Sequence, residues 1–301
     1  GCNYIPSSAS NQLEMWGENI FDVVTINYEL GLALELGFNV VRVYLHDLLW
    51  YNLKEELIKR INTFLEICNK YSIYVIFVLW DDCHRPNPVW GKQRPPIIGV
   101  HNSNWLQSPG LHIVTQIYDD TIDDKLLGKM KDYITGIITK FKDDKRVIMW
   151  DLYNEPGQNN NHDKSNKLLK LTWDWARSVG PSQPLTSCLD GCIGYENYYT
   201  NLYNSDILTL HEYNKYFEDK IIKLQSKYNN RPIICTEYMA REQGSTFQVI
   251  LPVGKRLKVG CISWGLVNGN TQTHYNWDTI KLLDTLVGFD DRLNSNKDIV
   301  E

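Results

Sequence analysis

Two hydrophobic periods alternate along this chain, and they do so regularly. Thr25 to Leu36 carries Leu30, Ala33 and Leu34 at helical spacing and meets Gly37 where a helix should stop. Asn39 to Tyr44 follows as a short β-branched run. Leu53 to Tyr71 sets Leu57, Ile61, Phe64, Leu65 and Cys68 on one side, which predicts an amphipathic helix. Ser72 to Leu79 is almost continuously apolar, as expected of a strand covered on both faces. Further helices are expected over 121–142, 164–179, 195–203, 215–228 and 246–258, the last kinked or split at Pro252, with a closing helix over 278–287. Further strands are expected over 1–5, 146–153, 183–187, 207–211, 232–237 and 260–266. From Trp80 to about Asp120 neither period holds. Loops of that length inside a compact domain are usually functional.

Eight strands alternating with about eight helices in 301 residues predict an α/β fold, a (β/α)8 barrel. One catalytic domain over 1–301 is expected, with its long loop after the third strand at about 80–120. Neither a linker nor an internal repeat beyond the βα unit is visible.

Composition narrows the function classes. A net charge of −5 disfavours nucleic acid as a partner, and no apolar run reaches membrane-spanning length. A monomer is expected, with no cofactor and no metal. The 10 Trp and 18 Tyr include Trp16, Trp50, Trp90, Trp105 and Trp277 in expected loops, where flat rings can stack on sugars. Cys68, Cys235 and Cys261 sit in apolar runs as small buried side chains. Cys188 and Cys192 flank Leu-Asp-Gly and would close a small loop disulfide in an exported protein. Secretion or periplasmic residence is the expected location.

In a parallel barrel the chemistry gathers at the C-terminal ends of the strands. The second strand brings Arg42, Tyr44 and His46 there, the third Asp81 and Asp82, and the fourth Asn154 and Glu155. The sixth brings His211 and Tyr213, the seventh Glu237, and the eighth Trp264 with Asn268 just beyond. Hydrolysis of a glycosidic bond requires two carboxylates on facing strands, and Glu155 and Glu237 are placed to be that pair. Asp81, Asp82 and His84 hint at a metal, but a bound cation would want more ligands close by.

These residues resemble the retaining glycoside hydrolases of clan A, and family 5, the cellulase family, most closely. The resemblance rests on Arg42, Trp-Asp-Leu-Tyr-Asn-Glu-Pro at 150–156, His-Glu-Tyr at 211–213, Thr-Glu-Tyr at 236–238 and Ser-Trp-Gly at 263–265. Longer blocks, such as Gln12-Leu-Glu-Met-Trp16, Pro181 to Ser187 and Ile234 to Arg241, look like a bacterial cellulase-like or β-1,4-xylanase-like group. Two departures are visible: family 5 enzymes often end the third strand in His, whereas here carboxylates come first, in Asp81-Asp82-Cys83-His84, and the tail after Trp277 lacks the aromatic-rich ending expected of the group.

The resemblance implies roles. Glu237 would be the nucleophile and Glu155 the general acid, then the general base. Arg42 would hold Glu237 ionised, Tyr213 would hydrogen-bond it, and His211 would support the site. Asn154 would bind the sugar 2-hydroxyl and Trp264 would lie under the reacting sugar. Tyr44, His46, Asp81 and Asn268 are further candidate sugar contacts. Trp90 and Trp105, in the long loop, would stack on sugars farther from the cleaved bond. The implied activity is endo-acting hydrolysis of a β-1,4-linked glucan, xylan or mannan. The alternatives are an exo-acting β-glycosidase on short oligosaccharides, a non-catalytic carbohydrate-binding barrel and a metal-dependent barrel hydrolase.

Overall fold

The apolar run after Ser72 becomes a strand whose residues beyond the first are all buried, and the elements on either side follow the expected alternation. The computed structural model describes residues 1–17, 21–189, 191–228 and 230–280. In chain order the elements are β1 (Cys2–Asn3), α1 (Gln12–Trp16), α2 (Val23–Glu35), β2 (Val40–Tyr44), α3 (Asp47–Lys70), β3 (Tyr74–Asp81), α4 (Leu111–Tyr118) and α5 (Asp124–Phe141). Then come β4 (Val147–Asn154), α6 (Asn166–Val179), β5 (Leu185–Thr186), α7 (Tyr195–Asn204), β6 (Leu208–His211), α8 (Phe217–Lys227), β7 (Ile233–Tyr238), α9 (Phe247–Leu257) and β8 (Gly260–Ser263).

The eight strands pair in the order β5-β4-β3-β2-β1-β8-β7-β6, all parallel. Across the remaining seam, Asp206 N donates to Leu185 O at 2.9 Å and Leu189 N donates to Thr209 O at 2.8 Å. The sheet is therefore a nearly closed (β/α)8 barrel, a single domain. Ile76, Met149 and Ile262 form a small apolar cluster with Val40, Ile207 and Ile234, drawn from strands around the barrel. The larger core lies between sheet and helices, where Val41, Val43 and Phe77 meet Ile61, Phe64 and Ile137. Polar chemistry is left to the strand ends.

Three helices and one cysteine pair differ from the sequence-based expectation. α3 begins at Asp47, and the expected start at Leu53 coincides with a kink (φ −136°, ψ 33°) between two helical segments. α4 falls inside the stretch expected to lack structure; its eight residues are too few to show a helical period. α9 runs unbroken through Pro252, which is exposed, so the carbonyl left without a donor can meet water. Cys188 and Cys192 remain thiols. The closing helix expected over 278–287 lies mostly outside the described residues.

The segment after β3 is built into the barrel mouth. Asp81 and Ser108 exchange backbone hydrogen bonds at 2.6 and 2.8 Å, and an Arg85–Leu106 bridge follows. Gln12 Nε2 donates to Leu106 O at 2.8 Å, and Asn104 Nδ2 donates to Ser10 Oγ at 2.6 Å. His101 to Ser108 are buried throughout. Asp82, also buried, ties this wall to the turn after β4. It accepts from Gln107 Nε2 (3.0 Å), Tyr153 OH (2.7 Å), Gly157 N (2.7 Å) and Ser165 Oγ (2.5 Å). Asp82→Ala would leave four buried donors without their acceptor. It should lower the free energy of unfolding by about 3–5 kcal/mol, read from denaturant titration; a change below about 1 kcal/mol would mean these donors find other partners.

Candidate active site

β7 is locally irregular where it matters. Leu210 pairs with Cys235, but His211 pairs with Glu237, so one extra residue bulges out and re-aims the strand end. The Glu237 carboxyl thus turns into a ring of donors. Its Oε1 accepts from Arg42 Nη1 and from Tyr44 OH, each at 2.7 Å; its Oε2 accepts from Tyr213 OH at 2.5 Å and lies 3.5 Å from His211 Nδ1. Burial alone would push this carboxyl up. The charges of His211 and Arg42 and the two tyrosine hydroxyls outweigh it and hold Glu237 below its ordinary value.

Arg42 is fully buried and fixed on every side. Its Nε donates to Asp151 Oδ2 (2.9 Å), Nη1 to Asn3 Oδ1 (2.8 Å) and Nη2 to Asn154 Oδ1 (2.7 Å). It does not reach the cleft, so it acts on Glu237 and cannot touch a sugar, contrary to its expected place among the substrate contacts.

Glu155 follows the last residue of β4 and sits in the left-handed region at φ 44°. For a residue with a Cβ this costs on the order of 1–3 kcal/mol and persists only where surroundings impose it. Here Glu155 N donates to Cys188 Sγ at 3.2 Å, and Asp82 grips Gly157 two residues on. The carboxyl is held at both oxygens, by His211 Nδ1 at 2.6 Å from Oε1 and by the Cys83 thiol at 3.0 Å from Oε2. A carboxylate oxygen from each of Glu155 and Glu237 and a ring nitrogen of His211 all lie within 4.8 Å of one another. A metal there would sit against the Arg42 guanidinium, which favours a shared proton over a cation.

Burial would lower the His211 imidazole, but Glu237 and Glu155 outweigh it and raise it above its ordinary value of 6.5. The sign follows. A raised imidazole contributes stability that is fully present below pH 6.5 and is lost as the pH rises through the folded-state value. The gap in Tm between the native protein and His211→Asn should therefore be widest below pH 6.5 and narrow above it. A gap constant from acid to alkaline pH would mean the imidazole carries no charge in that range.

A cleft of about 520 Å³ opens over the two carboxyls. Tyr44, Asp81, Asn154, Tyr213, Trp105 and Trp264 line it, as expected, together with both glutamates. Tyr44, Trp105 and Trp264 pack edge to face at 4.9, 6.3 and 5.9 Å, so Trp105 and Trp264 brace each other at the floor. Asp81 is shared: burial pushes it up to about 7, although Trp105 Nε1, Asn154 Nδ2 and Cys83 N all donate to it. Trp277 lines the cleft too, standing edge-on to Tyr213 at 4.6 Å.

Three expected sugar contacts lie elsewhere. His46 caps α3, its Nδ1 accepting from Leu48 N at 3.2 Å, and is wholly buried. Trp90 is 37% exposed on the outer arc of the long segment and does not line the cleft. Asn268 is exposed and likewise outside it. His211 is behind the carboxyls and reaches the cleft only through them. Cys83, His84 and Asn102 line the cleft without having been foreseen as contacts; the position of Cys83 just past the end of β3 was the one available signal. Asp82 and His84 do not gather as ligands, since Asp82 turns into its four donors and the cluster that comes together among the described residues is Glu155, His211 and Glu237.

Comparison with known proteins places this geometry. The profile of a family described as "Glycosyl hydrolases family 2, TIM barrel domain" matches residues 60–248. A β-galactosidase of Leuconostoc mesenteroides is 23% identical over 229 residues, which is 72% of this chain and 16% of that protein. The chain therefore spans about a sixth of that relative's length. An exo-β-1,4-mannosidase from an Opitutaceae bacterium (strain TAV5) superposes with a TM-score of 0.63 at 15% identity, covering 91% of this chain and 55% of that one. An endo-1,4-β-D-mannanase of Thermotoga petrophila gives a TM-score of 0.56 at 13% identity, covering 86% and 88%. Among the described residues no helix is long and apolar enough to cross a membrane. The resemblance to clan A holds; the family model that matches is family 2, while a family 5 protein, GH5_18 of Streptomyces cattleya, is among the structural neighbours with a TM-score of 0.62 at 12% identity, covering 88% of this chain and 70% of that one. Because that match takes in more than half of the sequence, the chain belongs to the glycosyl hydrolase family 2 TIM-barrel domain family.

Proposed function

We propose that this barrel is a retaining hydrolase that cuts β-1,4-linked glycan within the chain. One observation carries the reading: oxygens of the two carboxyls lie within 4.8 Å of each other. Direct attack by one carboxylate suits a carboxyl separation of about 5–5.5 Å, whereas inversion needs about 6.5–9.5 Å to seat a water. In the first step Glu237 attacks the anomeric carbon, the glycosidic C–O bond breaks, and Glu155 gives its proton to the departing oxygen. In the second, Glu155 takes a proton from water, the water oxygen bonds to the anomeric carbon, and the ester to Glu237 breaks. Arg42, Tyr44 and Tyr213 keep Glu237 anionic and aimed. Asn154 binds the sugar 2-hydroxyl, and Trp264 lies under the ring.

Action within the chain is supported by the continuation of the cleft. A further pocket of about 120 Å³, bordered by Met239 to Gln243, Tyr275 and Asn276, shares His101, Trp264 and Trp277 with it. That the structural neighbours include an endo-mannanase and an exo-mannosidase supports β-1,4-mannan first among candidate substrates, ahead of glucan, xylan and β-galactosides. The built wall after β3 favours a second reading, exo-action from a blocked end. Incubation with a panel of these glycans, with product lengths followed in time and the anomer read by proton NMR, tests both. Early mid-length products with the β-anomer first are expected. Single sugars from the outset would establish exo-action; the α-anomer first would overturn retention; no release from any glycan would overturn the function.

A further inference from the structure

Cys83 lies just past the end of β3, half-buried in the wall of the cleft, and no step of the reaction above uses it. Its backbone is fixed from both sides. Cys83 N donates to Asp81 Oδ1 at 2.9 Å, and the Asn159 amide donates to the two flanking carbonyls, Asp82 O at 2.8 Å and His84 O at 2.7 Å. Asp82 also accepts from Gly157 N at 2.7 Å, so the turn that carries Cys83 and the turn that carries Glu155 are tied together. The thiol ends 3.0 Å from Glu155 Oε2, and Asn154 Nδ2 approaches the sulfur at 3.6 Å. Burial and the Glu155 and Asp81 carboxyls push this thiol well above its ordinary value. It therefore stays S–H, accepts from the Asn154 amide and donates to the carboxyl.

The two oxygens of Glu155 are not equivalent. His211 Nδ1 stands between two carboxyls, 2.6 Å from Glu155 Oε1 and 3.5 Å from Glu237 Oε2, so that nitrogen carries a hydrogen and Oε1 accepts it. The proton that Glu155 passes to a leaving group then sits on Oε2, the oxygen beside Cys83. A thiol is a weak donor. Against a neutral acid it does little and leaves the Oε2 proton able to depart. As that proton moves to the glycosidic oxygen, the O–H bond breaks and negative charge gathers on Oε2, while the S–H bond stays intact. Hydrogen bonds to an ionised acceptor are roughly twice as strong as neutral ones. A contact that tightens only as charge develops stabilises the transition state more than the resting site.

We propose that Cys83 is a positioning residue for proton transfer: its S–H fixes Glu155 Oε2 and meets the charge that forms there as the leaving group departs. This rests on the hydrolase reading above and adds which oxygen of Glu155 delivers the proton. The rival explanation is packing, a small sulfur filling the wall beside Asn154. Cys83→Ser keeps a donor of nearly the same size at that place, and Cys83→Ala removes it.

The test measures kcat/KM of the native protein, Cys83→Ala and Cys83→Ser on aryl β-mannosides, β-glucosides, β-xylosides and β-galactosides whose leaving groups run from phenol to dinitrophenol. On the phenyl glycoside that is cleaved, Cys83→Ala should lose about tenfold, within the range for one hydrogen bond. That loss should be about five times or more its loss on the dinitrophenyl glycoside, which leaves without a proton. Cys83→Ser should stay within about threefold of native on both. Equal losses of Cys83→Ala on the two leaving groups would overturn the proposal and assign Cys83 to packing. Losses from Cys83→Ser as large as those from Cys83→Ala would do the same. A second readout follows the contact without turnover. The infrared S–H band of Cys83, isolated as the difference between native protein and Cys83→Ser, should lie at lower frequency than the same difference taken on a Glu155→Ala background. An unmoved band would overturn the contact, and it decides alone if Cys83→Ala does not fold. If the native protein releases phenol from none of the glycosides, the hydrolase reading fails and the proton-transfer role falls with it. An active native protein with equal losses or an unmoved band sinks the role of Cys83 alone.

Discussion

Glu237→Ala should abolish turnover on every glycoside, with a loss on the order of 10⁵–10⁶ in kcat, because no covalent intermediate can form without the attacking carboxylate. The variant should fold, since Ala removes one buried charge from a site that Arg42 and Asp151 still partly balance through their 2.8 Å ion pair. The measurement is kcat on the best natural substrate and on an activated aryl glycoside, beside a far-ultraviolet spectrum. Residual activity within a hundredfold of native on either substrate would remove Glu237 from the nucleophile's role.

The second large effect separates the two carboxylates. Glu155→Ala should cost about 10²–10⁴ on substrates with poor leaving groups, the usual range for losing a general acid. On dinitrophenyl glycosides, which leave without a proton, the first step should survive and the intermediate should accumulate. Added azide should then restore turnover and give a β-glycosyl azide, because a small anion can use the space that Glu155 vacates. The same product from Glu237→Ala would reverse the two assignments. Equal losses from Glu155→Ala on both leaving groups, without azide rescue, would take proton transfer away from Glu155.

Both carboxylates were legible in the sequence because each ends an apolar run, and a strand end in a parallel barrel has one destination. Arg42, Asn154 and Tyr213 could be read for the same reason. What could not be read depends on pairs distant in the chain. His46 lies at a strand end like the others, yet it becomes a helix cap because α3 starts one residue later. Cys83 gains its place in the site only from Glu155, 72 residues away. Trp90 stands out in the sequence only as an aromatic residue in a loop, and loop residence says nothing about which side of the loop faces the cleft. The kink at Leu53 explains why α3 showed its period only from there onward.

The segment after β3 has two storeys with different liberties. Its ends are stitched to the barrel through Asp81, Arg85, Leu106 and Ser108, while Asn87 to Lys92 is exposed apart from Pro88, which is half-buried. Nothing that holds Glu155 or Glu237 passes through that outer arc. The arc can therefore be lengthened, shortened or exchanged while the carboxylates stay where they are. Between Asn87 and Lys92 a foreign segment could accordingly be inserted with little disturbance of the barrel mouth, which makes this arc the natural place to attach a tag or a second module.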